Sequence, residues 1–162
     1  MNISIDAATA GDLVFYDSPG DVAWVLKVAQ RIRWKGDKNH VAWLDHQAAD
    51  GSWFIGQAEG CGVTDDKPLI LGPNDVIVKV PIGCDRAKAL TFWRAQVGLK
   101  YGFLTIVSEL FTLLSPKFFD VMLPDTWICS ALAGEGLRFG GWYRASGDIY
   151  QVTPDELWTA LQ

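Results

Sequence analysis

Two β-type runs joined by a short polar link place the first constraint on this chain. Residues 40–44 read His40-Val41-Ala42-Trp43-Leu44, with Asp45 as their boundary. Residues 52–58 form a second run, and the link between them carries Asp50-Gly51, a turn dipeptide. The pair reads as a β-hairpin. If Val41 and Trp43 face one side of it, His40 and Ala42 share the other. On the partner strand, Gln57 and Glu59 likewise share a face.

The rest of the chain alternates strand and helix signals. Residues 11–16, Gly11-Asp12-Leu13-Val14-Phe15-Tyr16, read as a short buried strand closed by Asp17-Ser18-Pro19-Gly20. Residues 22–33 place Val22, Val25, Leu26, Ala29 and Ile32 at helical spacing, with Gly36-Asp37 as the stop. Residues 76–82 read as a strand with Val76, Val78 and Val80 on one side, and Pro81 points to an edge strand or a strand terminus. Residues 85–99 are the next expected helix, capped by Asp85, with a break at Tyr101-Gly102-Phe103. Residues 103–114 are expected to be helical and residues 115–126 to form a connection containing proline. Residues 127–137 predict a helix capped by Asp125 or Thr126 and ended by Gly140-Gly141. Thr153-Pro154-Asp155-Glu156 supplies a cap, a first-position proline and first-turn acids for a short helix to Leu161. With no internal repeat or linker, residues 1–162 are expected to form one α+β domain.

Composition narrows the function classes. A net charge of −5 argues against nucleic acid as the main partner, because phosphate binding needs a basic stripe. The basic cluster Arg31-Ile32-Arg33-Trp34-Lys35 reads as a solvated helix end. The most apolar stretch, residues 103–123, is interrupted by Glu109 and Ser115-Pro116-Lys117, so neither half reaches the roughly 20 residues of a membrane span. No transmembrane segment is expected. The opening Met1-Asn2-Ile3-Ser4-Ile5-Asp6 lacks the basic and apolar regions of a secretory signal, so synthesis in the cytoplasm is expected. Such a chain can still leave by a route that needs no signal, as part of a virion or by delivery to the cell envelope.

The three cysteines, Cys61, Cys84 and Cys129, show no CxxC spacing for zinc or redox work, and no metal or cofactor is expected. Cys129 has the most informative address, Asp125-Thr126-Trp127-Ile128-Cys129-Ser130-Ala131, where a turn enters a helix. A thiol becomes nucleophilic when a helix N-terminus or a neighbouring imidazole lowers its pKa. The free N–H groups of a first helical turn also offer an oxyanion site, with the Cys129 amide as a donor. The bland alternative is a small buried hydrophobe, the common fate of a free cysteine. His40 can serve the thiol if a helix packs on the face it shares with Ala42. The other histidine, His46, follows Asp45 and reads as solvated. A catalytic imidazole needs a third group to orient it, and Gln57 or Glu59 can supply one.

Together these residues resemble the circularly permuted branch of the NlpC-type papain-like cysteine hydrolases, the YiiX-like group. The matching segments, in chain order, are Gly11-Asp12-Leu13-Val14-Phe15, Asn39-His40-Val41-Ala42, Gln57-Ala58, Gly62-Val63, Gly98-Leu99-Lys100-Tyr101, Ile128-Cys129-Ser130 and Thr153-Pro154-Asp155-Glu156-Leu157. The chain departs from the pattern at Ala131, where many members carry Glu, at Gly102, where many carry Asp, and at Gln57, where the residue is often acidic or histidine. The resemblance implies an α+β permuted papain-like fold, with the nucleophile helix packed on an antiparallel sheet. It implies Cys129 as nucleophile, His40 as base and Gln57 as the orienting residue, with Ser130, Tyr101 and Asp12 as substrate or oxyanion contacts. The implied activity is that of a cysteine peptidase or amidase on a cell-wall (peptidoglycan) peptide. The branch is also similar to lecithin:retinol acyltransferase, so lipid ester or thioester chemistry is the alternative. A binding or structural module that kept the fold, such as a virion component, is the alternative outside enzymes.

Overall fold

The computed structural model describes residues 2–17, 37–102, 125–142 and 152–162. The helices expected at residues 22–33 and 103–114, the basic cluster at residues 31–35 and most of the connection at residues 115–126 lie outside them. The architecture is α+β, with a mostly antiparallel sheet.

Six strands form the main sheet: β1 (Asn2–Ile3), β2 (Leu13–Tyr16), β3 (His40–Gln47), β4 (Trp53–Glu59), β5 (Gly62–Pro68) and β6 (Val76–Val78). Their order is β1-β6-β2-β3-β4-β5, and every neighbouring pair is antiparallel. The expected hairpin is β3–β4, each strand shifted slightly from the predicted bounds. A short parallel pair, β7 (Lys100–Tyr101) with β8 (Thr126–Trp127), stands apart. Three α-helices lie among the described residues: α1 (Arg86–Ala95), α2 (Cys129–Phe139) and α3 (Pro154–Ala160).

Strand alternation divides the core in two. Leu13, Phe15, Val41, Trp43, Ala58 and Val78 pack with Ala89 and Trp93 of α1, Leu132, Ala133 and Leu137 of α2, and Leu157 of α3. The intervening residues Val14, Tyr16, Ala42, Leu44, Ile55 and Ile77 build a cluster on the opposite face. β2 is buried on both faces, which explains its unbroken apolar run.

α1 and α2 meet at a glycine. A Cβ on Gly136 would overlap the Trp93 indole, whose Nε1–H donates to Leu132 O at 3.2 Å. The missing side chain lets tryptophan pack against helix backbone and satisfies its buried N–H. The ends of α1 and α3 follow local chemistry: Asp85 accepts from Lys88 N, and Thr153 and Glu156 form a reciprocal capping box.

Several expectations change. The strand expected over residues 76–82 stops at Val78 and lies between β1 and β2, so it is not an edge. Val80 N–H leaves the ladder to donate to Asp12 Oδ1 at 3.0 Å, and Pro81 follows in a turn closed by Cys84 N–H. The edge strands are β1 and β5, and the Thr64-Asp65-Asp66-Lys67 run of β5 carries too little apolar signal to read as a strand; an edge tolerates such charges. Its first residue, Gly62, has φ 116°, and a Cβ there would sit 2.6 Å from Leu99 O. Glycine thus lets the chain before β7 close on the sheet, where Val63 N–H donates to Leu99 O at 2.9 Å.

Candidate active site

The site is built where β3 and β4 part. Leu44 N–H donates to Asp12 O, and Leu44 O accepts from Gly11 N–H, both at 2.7 Å, so Leu44 bonds toward the β2 side. Bonding direction alternates along an antiparallel strand. Ala42 and His40 therefore bond toward β2, and Trp43 and Val41 point toward β4. Trp43 meets Gly56 there, but the β3–β4 pairing ends at that residue pair, while β2–β3 continues to Tyr16↔His40. The Val41 N–H faces the resulting gap and donates to the Cys129 sulfur.

α2 delivers that sulfur. Its N-cap is Ile128, with no side-chain cap bond, and Cys129 is the first helical residue. The expected caps are placed otherwise: Asp125 occupies a turn at φ 57°, and Thr126 belongs to β8. The approach is fixed by Trp127, whose Nε1–H donates to Gln96 Oε1 at 3.0 Å and whose ring meets Phe92 edge-on at 5.9 Å. The uncapped first turn leaves amides free, and Ser130 N–H donates to the Cys129 sulfur.

The helix packs on the Val41 and Trp43 face, opposite the face expected from the His40–Ala42 alternation. Divergence of the strands resolves the conflict. His40 is the first residue of β3, and its ring meets the thiol at the gap, where the two side chains hydrogen-bond.

Burial disfavours charge on both groups. Their mutual attraction and hydrogen bond outweigh it, so Cys129 is held below the ordinary thiol value and His40 above the ordinary imidazole value. The Val41 and Ser130 amides add to the lowering at Cys129, and Gln57 adds to the raising at His40. The charged form of each group thus favours the charged form of the other, and the two titrate together.

His40 Nε2 lies 2.7 Å from Gln57 Oε1. Gln57 is buried, and its Nε2 donates to Glu59 Oε2 at 3.0 Å. Glu59 in turn forms an ion pair with Lys67 of β5 and accepts from Cys61 Sγ at 3.4 Å. The sequence leaves open whether Gln57 or Glu59 touches the ring. Gln57 does, and Glu59 stands behind it.

The other expected contacts divide. Ser130 is buried beside Cys129 and serves it through its backbone. Tyr101 is half-buried, packs against Ile128 and Ala131, and pairs with Trp127. Asp12 is a correction. It is fully buried and accepts from Val80 N, from Thr9 N and Oγ1, and from Arg86 Nη1 at 2.7 Å. Those bonds tie β2 to the N-terminal segment, the chain after β6, and α1, and Asp12 is not among the groups acting on Cys129 or His40. His46 is half-exposed, bonded to Asp45 at 2.8 Å and stacked on Phe54 at 4.9 Å. Cys84 donates to Leu137 O at 3.7 Å, and burial pushes its thiol up; Cys61 is exposed.

Two site groups escape sequence reading, the Val41 amide and Lys67. No pattern marks an amide whose direction depends on strand divergence, and Lys67 sits on β5, whose charged run gives no strand signal. Among the described residues, no helix is long and apolar enough to cross a membrane. Comparison of the chain with protein-family models, curated proteins and solved structures returns no match.

Proposed function

We propose that the protein is a cysteine hydrolase with a permuted papain-like fold, acting through Cys129 and His40. The observation that carries the reading is a thiol at the first position of α2, hydrogen-bonded to an imidazole whose far nitrogen is held by Gln57. In this reading His40 keeps the Cys129 proton, and the thiolate attacks an acyl carbon. Unused amides of the first helical turn receive the developing oxyanion. His40 returns the proton to the leaving group. A water, or another acceptor, then releases the acyl group from sulfur. No step requires a metal or cofactor.

The leading substrate is an amide bond in a cell-wall peptide, supported by the resemblance to NlpC-type hydrolases. Purified peptidoglycan and a panel of lipid esters, offered in parallel with a thiol-directed activity probe, test the reading. Release of peptide fragments, with probe labelling confined to Cys129, is the expected result. Turnover of lipid esters alone replaces the substrate with a lipid acyl group. Equal, slow labelling of Cys61, Cys84 and Cys129 overturns the enzyme reading in favour of a binding module.

A further inference from the structure

We propose that Glu59 is a positioning residue that acts through Gln57, holding the amide so that its carbonyl oxygen faces His40 and the ring keeps its Nε2–H tautomer. The proposal rests on reading Cys129 and His40 as the catalytic pair.

The argument begins with the amide. A glutamine side chain offers a carbonyl on one side and two N–H donors on the other, and rotation by a half turn exchanges them. Facing His40 with oxygen, Gln57 requires a proton on Nε2. In the neutral ring that leaves Nδ1 unprotonated toward Cys129, able to take the thiol proton. Facing His40 with nitrogen, it would require Nε2 to accept, which places the proton on Nδ1 and removes the base. The two orientations are thus an active and an inactive site built from the same atoms.

Glu59 separates them. Its carboxylate only accepts, and it takes the Gln57 Nε2–H at 3.0 Å. The flipped amide would aim its carbonyl at that carboxylate, oxygen against oxygen, in a site where Gln57 is buried. Glu59 and Gln57 lie on one face of β4 by strand period. Lys67 from β5 forms an ion pair with Glu59.

The pair has a second effect in the same direction. Among the described residues, the groups facing His40 are Cys129 from α2, Gln57 from β4, Lys67 from β5 and the Tyr16 ring of β2 at 5.7 Å. Of these, the Lys67 charge opposes an imidazolium. Glu59 offsets that charge, and Gln57 and Cys61 also bond to its carboxylate.

The test reads the tautomer directly. In Cys129→Ala, no thiolate holds the ring charged, and 15N chemical shifts of labelled histidine report which nitrogen carries the proton. His46→Gln assigns the second signal. With Glu59 present, the Nε2–H form of His40 is expected to dominate. Adding Glu59→Ala is expected to give a mixture of tautomers, whereas Glu59→Gln, whose own carbonyl can still accept from Gln57, is expected to keep the Nε2–H form. Glu59→Leu, close in volume and without an acceptor, carries the same expectation as alanine if the alanine variant does not fold. With Cys129 intact, removing Glu59 is expected to slow Cys129 alkylation at neutral pH by about 2- to 10-fold, the worth of one hydrogen bond. That loss should vanish in a Gln57→Ala background. A folded Glu59→Ala or Glu59→Leu protein that keeps a pure Nε2–H signal overturns the positioning role while leaving the pair intact. Alkylation of Cys129 that is indifferent to His40→Ala overturns the pair, and this proposal with it.

Discussion

His40 Nε2 and Gln57 Oε1 lie 2.7 Å apart, which leaves Nδ1 as the nitrogen that faces Cys129. An amide carbonyl in that position stabilises an imidazolium without supplying a charge. It favours the proton less than a carboxylate would, yet it costs far less to bury. The arrangement suits a site in which the thiolate itself is the counter-charge of the ring.

Gln57→Ala should therefore lower the proton affinity of His40. A hydrogen bond to a charged group contributes about 1.5–3 kcal/mol, or roughly 10- to 100-fold in the imidazolium population. Titration of the His40 ring by NMR, with His46→Gln to isolate its signal, checks the direction. A ring that titrates at the same pH without Gln57 would show that the bond is idle.

The pH dependence of Cys129 alkylation follows from the two shifts. A lowered thiol value means that thiolate is already present below the ordinary range near 8.5. A raised imidazole value means that the ring keeps its proton above about 6.5. Because each charged form supports the other, alkylation should persist to more acid pH than an ordinary thiol allows, and fall below that as the pair takes up a proton. His40→Ala removes the attraction and leaves burial opposed only by the Val41 and Ser130 amides, so the profile should move toward alkaline pH. Each unit of that movement lowers the thiolate fraction at neutral pH about tenfold. Stopped-flow alkylation across pH, on protein with Cys61 and Cys84 replaced by serine, provides the profile.

Asp12→Ala tests the structural assignment of a residue that the sequence places among substrate contacts. It leaves Arg86 without its buried partner and Val80 N–H without an acceptor. Breaking a buried, hydrogen-bonded pair from one side costs about 3–5 kcal/mol. Denaturant unfolding should show that loss, while the pH profile of Cys129 alkylation in the folded fraction should keep its shape. A displaced profile would return Asp12 to the site.

Gly136→Ala should destabilise the protein by forcing Trp93 off α2. Overpacking of this kind costs about 1–3 kcal/mol. Because Gly136 lies two turns along the helix from Cys129, the loss should appear in thermal unfolding before it appears in alkylation kinetics.

Thr153→Ala removes one half of the capping box at α3. A loss of about 1 kcal/mol is expected, measured by the same unfolding experiment. Thr153→Ser should recover most of it.

How much of this was legible beforehand depends on how far each determinant reaches along the chain. Asp85, the Thr153–Glu156 box, the Gly140-Gly141 stop, the apolar run of β2 and the alternation in β3 and β4 act over a few residues, so the sequence by itself determined where those elements form. It also placed Cys129 at a helix start and put Gln57 and Glu59 on one strand face. The tertiary structure alone decided the rest. β5 exists because β4 offers it a partner, not because Thr64-Asp65-Asp66-Lys67 favours a strand. Asp12 became a buried junction only when Val80 and Arg86, both more than 60 residues away, closed on it. The contact between His40 and Cys129 arises from the parting of β3 and β4 beyond Trp43 and Gly56, which turns the Val41 amide toward sulfur and lets a ring from one face meet a thiol from the other. A gap between strands is a property of two backbones at once, and no local pattern encodes it.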